Sequence, residues 1–423
     1  MEKSLRTILT GGCKVLSILG LLLIIGLSFN ISLLAGIGGS GGEIFYEDGY
    51  TIHLFTSNGT FEPPPGIAEV EVLVVAGGGG GGGGIEGAGG GGGAGGLIHE
   101  EIFDINGPVD VIVGSGGSGG APGERGEDGD NSSFDNLEAI GGGGGGSTLT
   151  NEVRGGDGGS GGGGGSDRAT GGKTEPGTGT AEQGHDGGEG FRAGQSINRA
   201  GGGGGGAADP GQDAQNSNAG DGGAGLAITG FSDFGDGGYF AGGGGGGGET
   251  AGSGGDGGGG DGRADFCGDG SDAAMETGGG GGGAFCLGAI DEGFGGGDGG
   301  SGVVIVRYKT TPALTVEGDV CLELGAEGSA VDSSSKISWI GGVNNKITVE
   351  IEDGQVPDNL ELTVDAARGN KVILTALAQD FITDISDERV IDHSLIYKLS
   401  IIGNAVPEAG ETFLTVKFTI IEE

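Results

Sequence analysis

Histidine is the side chain best suited to acid–base or metal chemistry near neutral pH. This chain has four, His53, His99, His185 and His393, and each stands alone. None has a second histidine at i+4, and no neighbouring set of cysteines and carboxylates has metal-ligand spacing. His185-Asp186 offers half of a catalytic dyad, but no serine or cysteine stands in a recognisable relation to it, so a solvated turn is the simpler reading. Gly172-Lys173-Thr174 imitates the end of a phosphate-binding loop. The glycine required five positions earlier is Asp167, no strand precedes it, and Pro176 blocks the helix that should follow.

Two acidic loops invite calcium. Asp128-Gly129-Asp130-Asn131-Ser132 begins like an oxygen-ligand loop but lacks the glycine at position 6 and the closing glutamate at position 12. Gly268-Asp269-Gly270-Ser271-Asp272 matches part of one calcium-binding nonapeptide, with Cys267 where its first glycine should be, and does not recur. Solvation of the loops is the simpler role, so no cofactor is expected and calcium is the one worth weighing. Cys267 and Cys286 either pair in an oxidising compartment or serve as small buried fillers; with Cys13 and Cys321 they form no zinc spacing. Phe231, Phe234, Tyr239 and Phe240 cluster on a segment otherwise rich in glycine and acid. Aromatic groups dominate small recognition patches, so these four are the candidate ligand-binding residues. The alternative is that they fill gaps beneath the loops.

The element that must carry these residues is unusual. More than two fifths of the block from Gly77 to Gly302 is glycine, in uninterrupted runs such as Gly77–Gly84, Gly141–Gly146, Gly201–Gly206 and Gly242–Gly248. Each ordered glycine costs ~0.5–1 kcal/mol more than alanine, which favours a flexible linker unless backbones pack closely. Polyproline II geometry, with three residues per turn and backbone groups pointing outward, lets glycine helices hydrogen-bond one another. Runs of similar length suit a layered bundle, and a random linker has no reason for them. We therefore expect polyglycine II helices. Collagen is excluded, because there is no strict G-X-Y period and only 10 Pro are present.

Strand patterns frame the block. Tyr50–Phe55 alternates and Val70–Val75 runs straight into glycine, while 97–105 and 109–113 read as a hairpin over Asn106-Gly107-Pro108. Val303–Tyr308 returns after the last run, and is expected to pair with the earlier strands. The predicted domain 43–310 thus has a small β base (43–76, 97–113 and 303–308) and a polyglycine block, 77–302. In 311–423 seven strands are expected, at 320–324, 336–340, 346–351, 360–364, 371–376, 396–402 and 412–421, forming an Ig-like or pilin-like β-sandwich with Trp339 in its core. The predicted fold class is mainly β.

Residues 1–42 are basic, then hydrophobic. Lys3, Arg6 and Lys14 precede the apolar stretch Val15–Ala35. This stretch is longer than most signal cores and just long enough to span a bilayer. A cleaved signal, a retained membrane anchor through 15–35, and an apolar peg buried in a particle or fibre all stay open, and each implies export. Charge narrows the partners: 60 acidic against 19 basic residues give −41. That surface repels phosphate backbones, so no nucleic-acid partner is expected and an arginine–glycine RNA-binding tail is excluded.

With its opening strands, proline bend, Val70–Val75 entering glycine and the closing Gly300-Ser-Gly-Val-Val-Ile-Val-Arg-Tyr308, the chain resembles the glycine-rich domains of phage tail adhesins and of bacterial or archaeal surface proteins. The resemblance covers about residues 50–308. It implies a sandwich of polyglycine II helices on a β base, with far-end loops that in phage adhesins bind host receptors. The apolar N-terminus and the additional C-terminal sandwich depart from a tail adhesin. The expectation is therefore a non-enzymatic structural or adhesive protein of the cell surface, or an extracellular filament subunit. Its partner would be a surface receptor or like subunits in a homo-oligomer. The alternative is a receptor-binding spike on a virion.

Overall fold

The computed structural model describes residues 23–27, 39–149, 151–166, 172–193, 198–264, 266–287, 293–317, 320–323 and 329–422, except positions 342, 357, 359, 367–369, 387 and 403–409. All regular elements among them are strands, and the protein is mainly β. The first, β1 (Leu23–Leu27), belongs to the apolar N-terminal stretch. The base then takes β2 (Glu43–Glu47), β3 (Tyr50–Phe55), β4 (Gly59–Phe61), β5 (Glu69–Val75), β6 (Leu97–Asp104), β7 (Val109–Ile112), β8 (Ser132–Phe134), β9 (Leu137–Ala139) and β10 (Val303–Lys309).

Strand β10 lies between β3 and β5 in a five-stranded antiparallel sheet ordered β2-β3-β10-β5-β6. Val303 pairs with Val75, so the chain leaves the base and, after the whole glycine block, returns beside its point of exit. Strand β5 is nearly all apolar because both its faces are covered. Val70, Val72 and Val74 join Phe55, Phe61 and Phe134 in one core. Leu73 and Val75 join Ile52, Phe231 and Phe240 in another. The expected hairpin does not form. β6 pairs with β5, whereas β7 joins a second sheet, β9-β8-β7-β4. Asn106-Gly107-Pro108 is thus a crossing between layers; Gly107 turns it with φ +97°.

Between the base strands the glycine runs pack as parallel and antiparallel rods. Along Gly77–Gly84 successive N–H groups donate to three neighbours in rotation. Gly77, Gly80 and Gly83 reach Asp130, Glu127 and Glu124; Gly78, Gly81 and Gly84 reach Gly300, Gly297 and Phe294; Gly79 and Gly82 reach Gly93 and Gly90, all at 2.9–3.0 Å. Its carbonyls accept in the same rotation, Gly77 from Gly142, Gly78 from Gly117 and Gly79 from Gly281. A repeat of three residues with bonds to surrounding rods is polyglycine II. Side chains are excluded by closeness: a Cβ on Gly91 or Gly204 would fall within 3.0 Å of the carbonyls of Gly244 and Gly92. Outer rods keep glycine inward at every third position, as in Gly114, Gly117 and Gly120, with Ser115 and Ser118 facing water.

The C-terminal region comprises β11 (Ala313–Glu317), β12 (Val320–Glu323), β13 (Ser329–Asp332), β14 (Lys336–Gly341), β15 (Asn345–Asp353), β16 (Leu360–Ala366), β17 (Val372–Ile373), β18 (Gln379–Ile385), β19 (Glu388–Ile401), β20 (Gly410–Phe413) and β21 (Thr415–Glu422). One sheet runs β11-β14-β19-β16-β17, with β13 also on β19; the others are β18-β15-β21 and β12-β1-β20. Trp339, Leu362, Phe381, Tyr397 and Leu399 lie in their common core, which is sandwich-like. More strands form than expected. β11, β13 and β18 are not among the expected strands, and β19 begins at Glu388 instead of 396, an extension that the polar run Asp392-His393-Ser394 hides from the alternation pattern. The single strand expected over 412–421 divides at Leu414.

The apolar N-terminal stretch was expected to be a signal, anchor or peg. Residues 15–22 and 28–35 lie outside the described residues. Residues 23–27 are the middle strand of the sheet β12-β1-β20, and while paired there they do not span a bilayer. Among the described residues no helix is long and apolar enough to cross a membrane.

Candidate functional site

Rods that leave the base end together at a far face. Gly84 closes the first of them by exchanging hydrogen bonds with Phe294. There Gly87-Ala88, Phe285-Cys286 and Cys267-Gly268 pair as a small three-stranded patch. Cys267 and Cys286 stand opposite each other in this ladder and are joined by a disulfide. Phe266, next to Cys267, accepts the Leu287 N–H through its carbonyl and is 80% exposed. A further apolar group gathers at the same end, around Ile85. A Cβ on Gly123 would touch Ile85 and Leu149 at 3.0 Å, and one on Gly293 would touch Pro122 and Ile85. Leu149 is 40% exposed. Thr148 fixes the Ile85 turn by accepting its N–H at 3.1 Å, and Ser166 accepts that of Ala88 at 2.8 Å.

The four aromatic residues expected to bind a ligand lie at the opposite end. Phe231 and Phe240 are fully buried and Phe234 nearly so, packed between the bundle and the base with Ile52, Leu73 and Ile305. Phe234 meets Phe45 edge-on at 5.3 Å, and the Arg307 guanidinium sits 5.0 Å over Phe231. Arg307 is itself held by Glu71 at 2.8 and 2.5 Å and by the Gly230 carbonyl at 2.9 Å. These rings fill the gap under the loop 228–241, and burial removes Phe231 and Phe240 from any partner. Phe234 reaches only the wall of a 510 Å³ cleft with Phe45, Tyr46 and Asp233. Tyr239 alone of the four is exposed, at 41%, opposite Ala227 in a short ladder. The aromatic residue that reaches solvent at the tip is Phe266, one of the sparse phenylalanines that punctuate the later glycine runs and not one of the four candidates.

The carboxylates have a structural task. Outermost rods lack a neighbour on one side, and aspartates supply the missing acceptors. Asp128 takes the Gly144 N–H, Asp221 that of Ser253 and Asp261 that of Gly254, each at 2.8 Å, and Asp298 takes that of Gly119 at 2.7 Å. The calcium candidates are engaged in the same way. Asn131 accepts from Gly141 at 2.9 Å, Asp269 from Gly295 at 2.8 Å and Asp272 from Asp298 at 2.9 Å. No group of three or more His, Cys, Asp or Glu among the described residues is placed to hold a metal. Asp157 shows the electrostatic consequence. The Arg154 guanidinium at 2.6 Å, then the Thr178 N–H at 2.7 Å, hold its carboxyl down at about 2. His53 is buried in the base, where its Nδ1–H donates to the Gly41 carbonyl at 2.7 Å and Nε2 lies 3.0 Å from the Tyr308 hydroxyl. Burial pushes its pKa below the ordinary 6.5. It is a structural histidine, not a base facing a substrate.

Residues 56–309 match a family model described as the glycine-rich domain. The match spans more than half of the chain and ends on the last residue of β10, so it contains the bundle and most of its base. The chain belongs to that family. Comparison with curated proteins finds no match.

Proposed function

We propose that this member of the glycine-rich domain family is an exported, non-enzymatic structural or adhesive protein of the cell surface, or a subunit of an extracellular filament. The observation that carries the reading is the bundle's far end, where Phe266 is 80% exposed beside the Cys267–Cys286 bond. A rigid body of hydrogen-bonded rods presents this apolar face away from the base. Apolar residues held out by a stiff scaffold lose little freedom when a partner covers them. Disulfides persist in oxidising compartments, which supports export, as does the basic-then-apolar N-terminus. The work assigned to this tip is contact with a surface receptor or a like subunit. The exposed ring also favours a second reading, a viral or phage receptor-binding spike on a virion surface. Immunogold labelling of native material with antibody to the bundle tests the proposal. Label on cell envelopes or filaments is expected, label on virions selects the second reading, and label confined to the cytoplasm overturns both.

A further inference from the structure

Among the described residues, strand β1 is the only ladder neighbour that β12 and β20 have in their sheet. It runs antiparallel to β12, Ile25 opposite Leu322 and Leu27 opposite Val320, and parallel to β20, Leu23 opposite Gly410 and Gly26 opposite Phe413. Leu322 and Val320 are buried in the C-terminal core at 0% and 1%. The sandwich's own strands therefore leave a slot one strand wide, bounded by two rows of backbone donors and acceptors that must be paired. What fills it comes from the opposite end of the sequence, with the whole glycine domain between. Only the segment 28–38 joins β1 to Gly39. Fully extended, it reaches at most roughly 40 Å.

A strand that completes a domain without being continuous with it is exchangeable. The same segment of another copy makes the same register pairs, so exchange costs little in contact energy. We propose that β1 of one copy fills the slot between β12 and β20 of another, so that chains link head to tail through donated strands. The recipient's own β1 is then free to enter a third copy, and such a heterologous contact does not close on itself unless its rotation happens to make a ring. The donor is Leu23–Leu27 and the acceptor edges are Val320–Glu323 and Gly410–Phe413. This rests on sheet topology alone. It supplies a like-subunit contact for the proposed filament role without depending on the tip.

The test uses two full-length chains in a Cys13→Ser, Cys321→Ser background, which keeps the Cys267–Cys286 bond. One carries Ile24→Cys and the other Glu323→Cys, positions that face each other in the ladder. They are mixed unfolded, refolded together and mildly oxidised. A covalent heterodimer, lost when Ile25→Pro is added to the donor chain, is the expected result, since proline is not accepted in a central strand. A chain carrying both cysteines is the control. If it cross-links only within itself at every concentration and the mixed pair never joins, the strand stays in its own chain and the proposal falls. If the double-cysteine chain forms no cross-link of either kind, β1 does not occupy the slot, and the proposal falls equally. Neither result alters adhesion through Phe266, which is measured separately.

Discussion

At the scale of residues, aromatic burial divides two kinds of phenylalanine that look alike in sequence. Phe231 is at 0% exposure between base and bundle, and Phe266 at 80% on the tip. Phe231→Ala should cost about 3–5 kcal/mol of stability, read as a lowered melting temperature. Phe266→Ser, at a residue 80% exposed, should leave melting nearly unchanged and abolish attachment to the partner surface; retained attachment would remove the tip from the account. The difference was not legible beforehand, because whether a loop folds back under the base depends on contacts remote in the chain, such as Ile52 and Leu73. Titration gives a second residue-scale expectation. His53 has a folded pKa below its ordinary 6.5, and Asp157 is at about 2 against 3.8. In both cases the unfolded chain binds more protons between the two values, so stability falls as pH falls. Denaturant melts should show full stability above pH 6.5, a first loss below it that vanishes in His53→Gln, and a second between about 3.8 and 2 that is reduced in Asp157→Asn.

At the scale of elements, the rods follow from glycine's missing Cβ. A Cβ on Gly203 would fall within 3.0 Å of the Asp221 carbonyl. Gly203→Ala should therefore cost roughly 1–3 kcal/mol through forced backbone shifts, whereas Asn151→Ala, on an exposed turn, should be neutral. Equal tolerance at the two sites would contradict close packing. The tip patch depends on its cross-link. A disulfide closing a loop of about twenty residues contributes ~3 kcal/mol, so Cys267→Ser with Cys286→Ser should lower the unfolding free energy by that amount or less, read from denaturant melts. The rods themselves were legible from runs such as Gly242–Gly248, and the β base from Val70–Val75 and Val303–Tyr308. Which rod lies beside which was not, since residues without side chains carry no pattern that selects a neighbour. β1 was illegible for a related reason: an apolar run reads the same whether lipid or a sheet will cover it.

At the scale of the whole molecule, the composition now has a cause. Glycine fills the interior of the bundle, where rods touch on all sides, and aspartate terminates its hydrogen bonding at the edge, so the charge of −41 accompanies the architecture. The glycine block is a packed solid and not a linker. Amide hydrogen exchange across Gly141–Gly146 tests it most directly. Every amide there has a partner: Asn131, Gly77, Ser160, Asp128, Gly80 and Gly163 in turn. All six should be protected far beyond unfolded-chain rates and should open only with the bundle. Exchange at random-coil rates in this run would contradict the account.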